Sequence, residues 1–108
     1  MSNPIQLEIA DGVAVATIDS PPMNLLGMDL LPALGELADQ VASDDAVRVL
    51  VLQSANPDFF IAHGDVSTLL SIPENTAPTR SEGIPWVHAT LDKFRTMPKV
   101  TIAKVEGF

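Results

Sequence analysis

Between Phe59 and Val66 the chain reads FFIAHGDV, placing an imidazole, a residue with no side chain and a carboxylate in succession behind an apolar run. Two kinds of local chemistry fit that order. A glycine lets the backbone approach a ligand closely, and an aspartate just ahead of a helix accepts hydrogen bonds from its first amides. On this reading the stretch leaves one backbone amide pointing at a ligand. The plainer reading is a strand-to-helix turn and nothing more.

The remaining polar side chains give less. An imidazole is a natural candidate for a general base, but with no visible partner His63 is expected to be structural. His88, beside Trp86 and Leu91, reads as a packed or surface residue. His63 and His88 offer no ligand pair of close spacing, so no metal site is expected. Ser67, Asp65 and His63 are too near in sequence to converge as a hydrolytic triad, and there is no G-x-S-x-G elbow.

Composition narrows the classes. The chain has 108 residues, 46% hydrophobic, with 14 acidic and 6 basic side chains and a formal net charge of −8. One domain with a packed core is expected. The acidic balance argues against nucleic acid, whose binders cluster Lys and Arg, yet backbone amides can still hold a small anion. There is no cysteine, which removes thiolate catalysis and disulfides. No apolar run approaches the roughly 18 residues of a membrane helix, and the N-terminus lacks a secretory pattern. A cytoplasmic protein without membrane contact is the expectation.

The elements that must position the 59–66 stretch follow from patterning. Residues 5–9 alternate, Asp11-Gly12 supplies a hairpin turn, and 13–18 forms the second strand. Pro21 and Pro22 break it. Leu30, Leu34, Leu37 and Val41 recur at helical spacing behind a candidate cap at Asp29, with Pro32 in the first turn. Residues 48–54 are apolar nearly throughout, as in a strand covered on both faces. Residues 71–85 read as a loose loop. Ile84, Val87, Leu91 and Phe94 mark a second helix ended by Pro98. Residues 100–105 form a last strand, rich in Val and Ile and needing cover that the chain does not supply. The order is that of an α/β layered domain.

Together these segments resemble the N-terminal part of the crotonase superfamily, the enoyl-CoA hydratases and isomerases. Pro21, Pro22 and Asn24 match its Pro- and Asn-containing segment. Phe60 to Asp65 match its F-x-A-G-x-D loop, and Lys99 to Phe108 match its KP-x-I-A-x-V-x-G-Y/F strand. Two departures stand out: His63 replaces the glycine after Ala62, with Gly64 at the variable next position, and the sequence stops where the family continues into a second glycine-rich turn.

The resemblance implies a crotonase-like ββα spiral fold, of which residues 1–108 are the N-terminal portion. It implies an acyl-CoA enzyme of fatty acid metabolism in which two backbone amides stabilise a thioester enolate or oxyanion. Gly64 N–H takes the place of the first donor, with Asp65 capping a short helix that starts near Val66 and so fixing the direction of that amide. Met23, Asn24, Leu25, Leu26, Ala62, His63, Asp65 and Val66 take the places of the substrate and CoA contacts. The family's second donor and its acid/base carboxylates lie at or beyond the second turn. The CoA thioester is substrate, with no covalently bound cofactor and no metal, and a homo-oligomer is expected. The alternative is an inactive fragment or protein-interaction module keeping half of the fold. On either reading, the isolated 1–108 chain is expected to be inactive and to associate.

Overall fold

A computed structural model describes residues 3–67 and 86–108. The expected hairpin forms from β1 (Ile5–Ala10) and β2 (Val13–Ile18), antiparallel, with Ile5 opposite Ile18 and Ala10 opposite Val13. Both turn residues have positive φ, 52° at Asp11 and 81° at Gly12, as a two-residue turn matched to the strand twist requires. A Cβ on Gly12 would also lie 2.8 Å from Arg48 Nε. The Gly12 carbonyl accepts from the amides of Arg48 (2.7 Å) and Val49 (3.2 Å), which sets the next strand in register.

That strand, β3 (Val49–Ser54), pairs parallel with β2, and β4 (Val100–Ala103) pairs parallel with β3. The sheet order is β1-β2-β3-β4. Parallel neighbours need long crossovers. The first contains α1 (Leu30–Ala42) and the second α2 (Trp86–Thr96). The 71–85 loop and Ile84 lie outside the described residues.

The register puts Ile5, Leu7, Ala14, Ala16, Ile18, Leu50 and Leu52 on one face of the sheet. Ala14 and Ala16 leave room on that face, and α1 brings Leu30, Leu34, Leu37, Ala38 and Val41 to it, so that these residues form one buried core. Leu30, Leu34, Leu37 and Val41, spaced four, three and four apart, share a single helical face with Ala38 beside them. Asp29 stands directly ahead of α1 as expected but makes no side-chain cap bond. The chain is already helical there, and the amide of Leu31 is satisfied by the Gly27 carbonyl (2.9 Å).

Two expectations need correcting. β3 is not covered on both faces: only Leu50 is fully buried, and its other residues are half-buried. Val13, Val15, Val49, Val51, Val100 and Ile102 align in cross-strand rows on the opposite face, which no described helix covers. In α2, the buried face is not that of Val87 and Leu91, both exposed; it is Thr90, 4% exposed, with Phe94 half-buried and Met97 buried just past the helix. Gly35 of α1 explains this, since a Cβ there would be 3.5 Å from Thr90 Cγ2. The two helices meet where both side chains are small.

Candidate active site

Past β2 and past β3 the sheet ends in two irregular segments, 20–27 and 55–65, which lie against each other. The amide of Ala62 donates to the Met23 carbonyl (3.3 Å), that of Leu26 to the His63 carbonyl (3.0 Å), and that of Asp65 to the Leu26 carbonyl (2.8 Å). Leu26 and Gly64 form a single parallel bridge. Met23–Leu26 and Ala62–Val66, forty residues apart in sequence, are therefore brought together in one corner.

Asn24 organises this corner. It is 2% exposed, with φ of 55°, a left-handed conformation that asparagine tolerates better than most residues. Its Oδ1 accepts from the Ser20 amide (2.9 Å), and its Nδ2 donates to Ser54 Oγ (2.7 Å) and the Phe60 carbonyl (2.9 Å). The side chain thus braces the end of β3 and the entry to the loop from inside. Sequence reading missed this brace and its partner Ser54, because a bond spanning thirty residues has no local signature. Asn56 adds an outer tie, donating from Nδ2 to the Pro22 carbonyl (3.1 Å).

The loop's own groups follow. Asp65 Oδ1 accepts from both the amide (2.9 Å) and the hydroxyl (2.7 Å) of Ser67, and the backbone turns helical at Val66 and Ser67. These bonds hold its carboxyl below the ordinary aspartate value of 3.8, with a smaller contribution from His63. Ser67 bonds Asp65 directly, with no imidazole between them, which leaves no triad. His63 is exposed, and its Nδ1 donates to the Gly64 carbonyl at 2.7 Å. Gly64 is exposed too, and its amide makes no hydrogen bond among the described residues.

Around this amide, Met23, Leu25, Leu26 and Ala62 are half-buried, and Val66 is 56% exposed. A cleft of about 120 Å³ opens beside the loop, lined by residues that include Pro22, Leu25, Gly27, Asp29 and Asp65. It is smaller than the roughly 300–1,000 Å³ of a typical small-molecule site. His88 is exposed on α2. No group of three or more metal-ligating side chains occurs, and no helix is long and apolar enough to cross a membrane, among the described residues.

The last residues complete the corner. Phe108 N–H donates to the Asp58 carbonyl (3.0 Å), Phe60 N–H donates to the Phe108 carbonyl, and the Phe59 and Phe108 rings sit 6.3 Å apart. Gly107 makes this approach possible: its φ is 73°, and a Cβ there would fall 2.1 Å from the Asp58 oxygen.

Comparison with known proteins places this arrangement. A probable enoyl-CoA hydratase of Bacillus subtilis is 29% identical over 107 residues, covering 97% of this chain and 40% of the relative. The fatty acid oxidation complex subunit alpha of Shewanella halifaxensis is 27% identical over 99 residues, covering 90% of this chain and 14% of the relative. The chain thus spans well under half the length of either. The enoyl-CoA hydratase of Bacillus anthracis superposes with a TM-score of 0.78 at 20% identity, over 96% of this chain and 40% of that one, so the fold is shared with crotonase-fold hydratases. The sequence profile of enoyl-CoA hydratase/isomerase matches residues 8–108. Spanning nearly every element described above, from within β1 to Phe108, that match establishes that the chain belongs to the enoyl-CoA hydratase/isomerase family.

Proposed function

We propose that this chain contributes one half of an oxyanion-stabilising site for acyl-CoA thioesters, with Gly64 N–H as the donor. The observation that carries the reading is selective occupancy. The amide of Asp65 and the carbonyls of His63 and Gly64 all have partners, while the Gly64 amide has none among the described residues. As the α- or β-carbon of an enoyl thioester reacts, negative charge accumulates on its carbonyl oxygen. A fixed amide stabilises that charge without reorganising. Met23, Leu25, Leu26, Ala62 and Val66 supply the apolar surface on which the acyl-CoA lies, with Asn24 acting from behind. Asp65, held by Ser67, is not offered as the proton-transfer group.

The test is hydration of crotonyl-CoA by the full-length protein. Gly64→Pro removes the N–H and should lower kcat about 10²–10³-fold. Gly64→Ala keeps it, and because the Leu26 oxygen, at 4.0 Å, is the only atom near the Cβ site among the described residues, turnover should stay near wild type. A folded Gly64→Pro protein with unchanged kcat would end the proposal.

Self-association is a second reading, favoured by the rows of Val13, Val49 and Val100 and of Val15, Val51 and Ile102, which no described helix covers and whose β4 members are exposed. Apolar faces of this kind are templates for pairing. Sedimentation velocity of 1–108 should show assemblies, and a well-folded monomer would refute the reading.

A further inference from the structure

We infer that His63 is a positioning residue, a tether that fixes the Gly64 amide through the next peptide rather than a base that acts on substrate. The inference rests on the donor reading of Gly64. The Gly64 carbonyl can only accept, so the imidazole Nδ1 must carry the proton in their 2.7 Å contact. The two peptide units that meet at Gly64 are each held at one end by Leu26, through the His63 carbonyl and the Asp65 amide. In a planar trans peptide the C=O and N–H point opposite ways, so those bonds turn the Gly64 N–H and C=O away from the 20–27 segment, where an outer contact can add to the hold on the second unit. His63 supplies it. Asp65, bonded to Ser67, fixes the far end.

The tether commits the ring chemically. With Nδ1–H engaged, neutral His63 adopts the Nδ1–H tautomer, since the bond made at one ring nitrogen sets the state of the other. The family resemblance has glycine here, which can offer no such contact. A chain whose glycine has moved one position along gains, in His63, a side chain that limits the added freedom at Gly64.

Two measurements on the full-length protein separate this inference from the reading it rests on. The first is long-range ¹H–¹⁵N correlation of the imidazoles. His63 should show the Nδ1–H pattern, and exposed His88 serves as internal reference. A predominantly Nε2–H His63 overturns the tether, whatever Gly64 does.

The second is crotonyl-CoA kinetics. His63→Ala should lower kcat about fivefold, the size of one ordinary hydrogen bond, with KM little changed, because the amide's aim matters most once charge develops. His63→Asn, whose amide can reach the same oxygen but cannot take a proton, should restore most of that loss. A His63→Ala loss above about 10³-fold that Asn does not repair makes the ring a base and overturns the inference. A Gly64 amide resonance that is unmoved by crotonyl-CoA, with the Nδ1–H pattern intact, overturns the donor reading and with it the catalytic consequence of the tether.

Discussion

The covered face of the sheet and the corner beyond its strand ends are ordered by different forces. Beneath α1, Ile18, Leu30, Leu34 and Leu50 are almost completely removed from water, and no side-chain hydrogen bond is needed to hold them. In the corner, position comes from directional bonds made by Asn24, Ser54, His63 and Asp65. Apolar burial is strong and forgiving of direction. Hydrogen bonds contribute less each, but they fix where an amide points. The fold thus keeps its bulk stability and the direction of its loop amides in separate places.

That division can be broken by mutation. Leu34→Ala, at a site 1% exposed in the packed face, should cost about 2–5 kcal/mol, read by urea unfolding. Whatever fraction remains folded should keep the Gly64 and Asp65 amide shifts of the wild type. If those shifts move with the core, the two regions are one.

A substitution in the corner should do the reverse. Asn24→Gly tolerates the positive φ and deletes the side-chain bonds to Ser20, Ser54 and Phe60. Leaving such groups buried without partners should cost about 1–3 kcal/mol. The larger effect should be on amide exchange of residues 60–65, which should speed up while the protection of β2 persists. Equal loss of protection in both would dissolve the distinction.

The smallest effect concerns acid. Ser67 stabilises the charged form of Asp65, so the carboxyl titrates below 3.8. With a depressed folded-state value, the contribution to the turn is complete above 3.8 and is lost as pH falls through the lowered value. A carboxyl ¹³C titration should show this midpoint, and Ser67→Ala should move it back up. A midpoint unmoved by the substitution would mean Ser67 is not the cause.

The two regions also differ in how well the sequence foretells them. The hairpin was legible because Asp11-Gly12 is a local device, and α1 because Leu30 to Val41 repeat within four turns. The loop was legible because Phe60 to Asp65 are contiguous. Thr90 was not assigned to the core, since a residue half polar by chemistry carries no weight in an apolar stripe. Its burial depends on Gly35, 55 positions away. The outer valines were read as covered because a run of Val and Leu looks alike whether one face or both are buried. Asn24 could be flagged as part of a pattern, but its inward orientation follows from Ser54 and Phe60, which no periodicity connects to it.

The close seating of Gly107 on Asp58 bears on the timing of biosynthesis. Residues through Ser54 carry β1, β2, α1 and β3, and so most of the covered core, as soon as they leave the ribosome. The Phe60 amide waits for its partner until Phe108 emerges, about 2–10 s later at ordinary elongation rates. During that interval the 59–65 loop is held from the 20–27 side, by Asn24 and by the backbone bonds to Met23 and Leu26. A nascent chain therefore acquires its stable layer before the full bracing of this loop.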